Sequence, residues 1–450
     1  MTQIWSRLPG AVALVVLTCC LFIAGAAFAQ DAAPASVLLA HQAPLELDSA
    51  GTSWLGTSTA LVLLMTLPGL ALFYGGMVRR KNVIATITQS VGVFAVVSLV
   101  WFIAGYTIAF GTNPSEGANA FIGSFDALFL NGVTLETAHS LLPGIPEFLW
   151  ISFQLTFAII TPALITGAFA ERFKYSALLL FTALWSLIVY APIAHWVWGG
   201  GFLGSAGVLD FAGGAVVHVN SGVAGLVCAL FLGPRKGYGT EPIVAHNPVL
   251  TMIGASLLLV GWIGFNAGSA GAANALAGVA LLNTLLAAAA AALTWKLVEV
   301  IHKKKISLIG MLSGVVGGLV AITPAAGFVD PKGAVIIGLI AGPACYVASV
   351  WLKKLLKYDD SLDAFGIHGA GGLVGALLTG VFATVAINSL SEGTNIGAQA
   401  LGLAWTIVYS AIGTFVILLI CKYTTGLRVT EEAEDEGLDT HLHGEALTHS

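Results

Sequence analysis

Residues 198–218 read WGGGFLGSAGVLDFAGGAVVH: an acidic residue, Asp210, and eight positions later a lone imidazole, His218, inside a strongly apolar run. A second stretch in the other half, DAFGIHGAGGLVGALLTG from Asp363, repeats the arrangement, with Asp363 at its start and His368 inside. Ionisable groups within lipid-spanning segments are costly, and their default reading is functional. The two stretches predict one pathway for a small polar solute.

Composition places the whole chain in lipid. Of 450 residues, 57% are hydrophobic and 9% charged, and the mean hydropathy is +0.91; soluble domains carry about 25% charged residues. The net charge of −5 decides little, because the position of charges matters more than their sum. At the start, Arg7, the apolar residues 11–24 and Ala27-Phe28-Ala29 predict a signal peptide over 1–29, cut before Gln30; the competing reading is a retained first anchor. Cys19 and Cys20 fall within that segment. Cys228, Cys345 and Cys421 lie in apolar spans without C-x-x-C spacing and read as small buried hydrophobes.

Apolar runs of about 20 residues, enough to cross ~30 Å of hydrocarbon, fall near 53–78, 83–111, 147–170, 176–199, 211–233, 248–270, 273–301, 307–328, 333–356, 364–387 and 396–424. The prediction is an all-α membrane protein of eleven transmembrane helices. Basic residues follow every odd-numbered span: Arg79, Arg80 and Lys81; Arg172 and Lys174; Arg235 and Lys236; Lys303, Lys304 and Lys305; Lys353, Lys354 and Lys357; Lys422 and Arg428. The alternate linkers contain only Lys332. The positive-inside rule then puts the mature N-terminus outside and the C-terminus in the cytoplasm, as a cleaved signal also requires. Residues 30–51 form a short outer segment, 52–424 the membrane domain and 425–450 a hydrophilic tail. Spans 1–5 and 6–10 each end with an acid, a Gly-rich stretch and one intramembrane His. Five spans per copy turn the second upside down, an inverted repeat with span 11 added. The acidic run in the tail (Glu431, Glu432, Glu434, Asp435, Glu436, Asp439) reads as solvated and mobile, and its histidines carry no metal-ligand spacing.

Helix rise of 1.5 Å per residue places His218 about 12 Å below Asp210 and His368 about 8 Å above Asp363. The two imidazoles approach the midplane from opposite sides. A neutral pair can share one N–H···N bond and leave its outer nitrogens for a passing solute. His195 has no such partner and reads as structural. Phe153 and Phe157 share one face of span 3 at i, i+4; Trp198 ends span 4; Trp262, Phe265 and Ser269 follow one another along span 6. Aromatic faces attract cations and a hydroxyl accepts a hydrogen bond, although such aromatics singly also serve as interface anchors. Asp210 reads as a cap for span 5 that adds attraction for a cation, with Asp363 its counterpart.

Several long motifs, in consistent order, resemble the ammonium transporter family (Amt/Mep/Rh), and its bacterial Amt branch. They are the NPSEG-type loop, FQLTFAIITPALITGAFAERFKYSA from Phe153, HWVWGGGFLGSAGVLDFAGGAVVHVNSGVAG from His195, GWIGFNAGSAG from Gly261 and DAFGIHGAGG from Asp363. The resemblance implies a homotrimer in the bacterial inner membrane, each subunit with its own narrow pore. It implies an ammonium-recruitment site at Trp198, Phe157 and Ser269 with Asp210 nearby, and a phenylalanine gate of Phe157 and Phe265 beside Trp262. It also implies a twin-histidine pair, His218 and His368; Phe153 and Asp363, from the spacing above, are supporting residues. GLRVTEEAEDEGLDTHLHGE resembles the region that meets a cytoplasmic PII signalling protein. No enzyme activity, cofactor, metal or nucleic-acid partner is expected. Two competing classes are a membrane haem protein using the paired histidines as ligands and an ammonium sensor with little flux; an intramembrane metalloprotease would need an H-E-x-x-H that is missing here.

Overall fold

With no water to satisfy backbone groups in hydrocarbon, a chain this apolar must close its hydrogen bonds within helices. A computed structural model describes residues 38–447 and shows this architecture. The predicted signal segment 1–29, with Cys19 and Cys20, and His449 lie outside the described residues. The principal helices are α1 (Ser49–Met77), α2 (Arg80–Phe110), α3 (Glu147–Phe169), α4 (Tyr175–Ser205), α5 (Gly214–Leu232), α6 (Pro248–Ala267), α7 (Ala275–Lys303), α8 (Leu308–Ile322), α9 (Pro331–Leu356), α10 (Phe365–Phe382) and α11 (Ile396–Thr424). Among the described residues ten of these are long and apolar enough to cross a membrane. The other, α8, is apolar but has 15 residues and stops short of the span expected at 307–328. Pro324 has no N–H to bond the Val320 carbonyl, and the chain turns there instead. At the end of the molecule away from the basic linkers, β1 (Gln42–Pro44) pairs antiparallel with β2 (Thr137–His139). Beside this pair Glu147 is fully buried and accepts from His41, Gln42 and Tyr106. Burial pushes the pKa of neighbouring His139 down to about 4.

Both intramembrane histidines sit in wide π-helical turns at helix starts. His218 lies in Gly214–Val219 of α5 and His368 in Phe365–Gly369 of α10. Such turns recur elsewhere in this chain, as at Trp101–Gly105 and Ile263–Ala267, so it is the matching place of the two histidines in them that sets these two apart. The first turn of a helix leaves N–H groups unpaired, and Asp210 answers this for α5. Its Oδ1 accepts from Gly213 (2.9 Å) and Gly214 (2.5 Å), its Oδ2 from Ala215 (2.8 Å) and Val216 (3.0 Å). Burial raises the Asp210 pKa and the four N–H groups pull it back. With four bonds donated to it, the carboxylate is the form the turn accommodates.

The counterpart in α10 is Asp360, which corrects the expectation for Asp363. Asp360 is buried and accepts from Ala364 (3.0 Å) and Phe365 (2.8 Å). Burial and then the adjacent Asp363 carboxylate push its pKa up to about 6. Asp363 has a positive φ of 60°, which turns it away from the helix start, and it pairs with Lys353. The spacing is the same in both halves of the chain: Asp210, His218 and Gly222 are separated as Asp360, His368 and Gly372 are. Both glycines lie where the halves cross. A Cβ on Gly222 would come within 2.3 Å of the Gly369 nitrogen, and one on Gly372 within 2.8 Å of the Gly214 carbonyl oxygen. Only hydrogen fits between these backbones, and that closeness brings the two imidazoles together.

At the basic face a buried ionic network ties four linkers. Glu171 meets Arg79 at 2.9 Å and Arg235 at 3.1 Å; Arg235 also meets Asp359 at 2.8 Å. Burial works to raise the Glu171 and Asp359 pKa values, yet the guanidinium groups hold both below the ordinary carboxylate range, Arg235 foremost. The tail packs on this face and is not a free solvated run. Apolar residues are interleaved with its acids: Val429, Ala433 and Leu438 cluster with Ala85 of α2. Buried Glu434 takes Arg428 at 2.6 Å, and buried Asp439 accepts from the N–H groups of Ile84 and Ala85 at the start of α2. Lys236 pairs with Asp435.

Candidate substrate pathway

At the end away from the basic linkers lies a vestibule of about 410 Å³, bordered by Trp198, Asp210, Phe211, Ser269, Phe328 and Asn388 among others. The Trp198 indole N–H donates to the Asp210 carbonyl at 2.8 Å, which spends that donor and fixes the ring. The Ser269 hydroxyl donates to the Phe265 carbonyl at 2.8 Å, so its oxygen keeps acceptor capacity. Phe157 packs behind this wall. It meets Trp198 edge-on at 6.0 Å and stacks on Phe265 at 4.2 Å, with 22° between the planes. Phe153, one turn earlier on the same face of α3, braces Phe157 edge-on at 5.0 Å.

Below the phenylalanines the two histidines meet. Nδ1 of His368 lies 3.3 Å from Nδ1 of His218, and the rings are 18° from parallel. One nitrogen must donate and the other accept, so the tautomers are correlated. The His218 ring lies against Trp262 at 5.3 Å and 22°. Trp262 is itself held, its N–H donating to Thr323 at 2.9 Å. His218 is 1% exposed, and its outer nitrogen, Nε2, is buried without a protein partner. Directly beyond, a cavity of about 10 Å³ is bordered by both histidines, Trp262, Phe73, Leu164 and Leu258, on the order of one water in size. A further vestibule of about 360 Å³ opens at the basic face, with Arg235, Tyr238, Lys353 and Asp363 on its walls.

The structure thus brings Trp198, Ser269, Phe157, Phe265, Trp262, His218 and His368 into one file. It separates Asp210, whose carboxylate faces the α5 backbone, and Asp363, which lies at the opposite end. His195 is buried, with ring nitrogens 3.0 Å and 2.7 Å from the carbonyl oxygens of Ala109 and Asn119, a packing role. The two Nδ1 atoms, 3.3 Å apart, are bonded to each other and leave no place for a metal between them at metal–nitrogen bonds of ~2 Å. Sequence reasoning missed Asp360, Thr323 and Gln399. For Asp360 there was a signal, since it precedes His368 by the same eight residues that separate Asp210 from His218.

Fold and site together define a polytopic helical membrane protein with a vestibule at each end and a file of aromatic and imidazole rings between them. The model of the Ammonium Transporter Family matches residues 53–448. Similar proteins include the ammonium transporter of Aquifex aeolicus, 48% identical over 90% of this chain and 95% of its own length. That of Bacillus subtilis is 49% identical over 86% and 95%. Among solved structures, Saccharomyces cerevisiae Mep2 superposes with a TM-score of 0.78 at 35% identity, covering 86% of this chain and 89% of its own. A structure described as a sensor Amt protein gives 0.81 at 31% identity, covering 88% and 98%. The chain belongs to the ammonium transporter family, a family of transporters and not of enzymes.

Proposed function

We propose that this protein conducts ammonia derived from external ammonium through the file of residues described above. The observation that carries the reading is the His218–His368 pair: a buried, mutually bonded couple beneath stacked phenylalanines, with one outer nitrogen unpartnered. Ammonium gathers in the Trp198 vestibule, where the indole and Phe157 faces attract a cation, by ~2 kcal/mol or more once water is stripped, and the Ser269 oxygen accepts one of its N–H groups. Going on as an intact ion would incur a Born cost of tens of kcal/mol. Ammonium can give its proton to water in the vestibule, leaving ammonia inside and hydronium for the outer solution or a separate proton route; potassium, of similar size, has no proton to give. Ammonia then passes Phe157 and Phe265 and exchanges hydrogen bonds along the imidazole edges, one nitrogen offering a proton and the other accepting one. Asp210 acts through the α5 cap and its field, with no free oxygen for the cation.

The test is uptake into proteoliposomes on rapid addition of ammonium, methylammonium or potassium. The expected result is flux with the first two and less than about a tenth of it with potassium; equal potassium flux would overturn the reading. The packed tail and the likeness to a sensor Amt protein favour a second reading, in which ammonium binds with negligible flux, and the same measurement separates the two.

Resemblance supports eleven spans including α8, two related five-helix halves and a homotrimer in the bacterial inner membrane; the Ala27-Phe28-Ala29 pattern supports a cleaved signal, and the basic linkers a cytoplasmic basic face. Resemblance also supports a PII partner at residues 425–450, where Glu431, Glu432, Asp435 and Glu436 remain exposed on the packed tail. A PII protein is expected to be retained by the immobilised full chain, and by a chain lacking that segment at less than about a tenth of the level; undiminished capture by the shortened chain counts against tail recognition.

A further inference from the structure

The turn that carries Asp210 is held by three different helices or their ends, one residue at a time. Trp198 of α4 bonds the Asp210 carbonyl, and the Phe211 N–H donates to the Pro324 carbonyl just past α8 at 3.1 Å. Leu209, the residue before, belongs to Gln399 in the first turn of α11. The Gln399 Oε1 accepts from the Leu209 N–H at 2.8 Å and its Nε2 donates to the Leu209 carbonyl at 2.7 Å. The second Nε2 hydrogen goes to the Ala376 carbonyl of α10 at 3.1 Å. Gln399 is 1% exposed. One buried side-chain amide thus closes both backbone groups of a single residue and ties them to the helix that carries His368. Next to it the chain leaves no slack: a Cβ on Gly402 of α11 would meet Val208 at 2.8 Å.

We infer that Gln399 is a positioning residue for the cation site at the Trp198 end. By fixing Leu209 from both sides it sets where the Asp210 carbonyl stands, and that carbonyl sets the Trp198 ring over Phe157. The last helix, which contributes no side chain to the file of pore residues, acquires a role in substrate capture. This rests on the recruitment reading above. Releasing Leu209 leaves the ring free to tilt, which weakens capture of the cation while the phenylalanine stack and the histidine pair stay in place. Apparent affinity should move, not the limiting rate.

The experiment is a double-mutant cycle on methylammonium uptake in proteoliposomes with Gln399→Leu, Trp198→Phe and the pair. Gln399→Leu is expected to raise KM about tenfold with the limiting rate within about twofold, as the loss of buried, paired hydrogen bonds predicts. Trp198→Phe, which has no N–H for the Asp210 carbonyl, should raise KM to a similar extent. The double variant should be no worse than the poorer single one, because both act through one ring. Additive effects, or a fall in limiting rate at constant KM, would overturn the positioning role. If instead Trp198→Phe leaves KM unchanged, the recruitment reading itself fails, and the two failures are told apart. Should Gln399→Leu not accumulate, Gln399→Glu answers the same question. It keeps the acceptor and the length but turns a carboxylate oxygen toward the Leu209 and Ala376 carbonyls in place of the donor, and should show a KM increase at least as large that also vanishes in the Trp198→Phe background; persistence there would overturn the proposal.

Discussion

Replacing both pore imidazoles, His218→Ala with His368→Ala, is expected to lower the preference for ammonium over potassium at least about tenfold. In the native structure the two rings border a space of about 10 Å³, lined otherwise by Trp262, Phe73, Ile160, Val316 and leucines. A hydrated cation cannot enter so small and apolar a space, and a bare one is excluded by its desolvation cost. Two methyl groups in place of two imidazoles widen that constriction by several water volumes and remove its hydrogen-bonding edges. Water then follows, and with water the cations. The measurement is ammonium- and potassium-evoked current in proteoliposomes of wild type and variant at matched protein content. Selectivity unchanged from wild type would sink the role given to the pair. The single variants should fall between, because His218 and His368 share one hydrogen bond and either alone keeps part of the bulk.

The second large effect concerns stability and passes through Asp210. Asp210→Ala removes the acceptor of four N–H groups at one buried helix start. Each unsatisfied buried donor costs about 1–3 kcal/mol, so even with partial recovery by water the loss is about 4 kcal/mol or more, enough to unfold a marginal protein. The expected outcome is little folded protein in detergent, or a thermal midpoint many degrees lower. Asp210→Asn should be milder. Its carbonyl oxygen still accepts, while its NH2 faces donors where an acceptor stood. Wild-type thermal stability in Asp210→Ala would contradict the cap, and only a free carboxylate contacting substrate would then account for an acid at this position.

Much of this was legible in the sequence, for particular reasons. Hydrocarbon leaves a polypeptide few options, so apolar run length located the helices and the basic linkers gave their alternation. Helix rise brought His218 and His368 to one depth, where the structure joins them at 3.3 Å. The i, i+4 spacing of Phe153 and Phe157 put the two rings in edge-on contact on one face of α3. Asp363 was misjudged because DDSLDAF offers three acids ahead of His368 and only backbone geometry selects among them; the positive φ at Asp363 turns it toward Lys353 and leaves Asp360 facing the helix start. The tail was misjudged because its charges dominate its composition while the few apolar residues that anchor it are spaced irregularly.

The sequence by itself determined what depends on local pattern: membrane residence, the succession of helices, and the depth and identity of the groups inside lipid. What depends on contacts between distant segments only the tertiary structure decided. Gln399 lies 190 residues from the turn it holds, and Gly222 meets Gly369 backbone to backbone. Trp198 proved to spend its N–H on a carbonyl and Asp210 its carboxylate on a helix start, and no spacing announces either. A side chain's hydrogen bonds are shared out among all its neighbours in space, so the role of each acid and indole was fixed only when the helices packed.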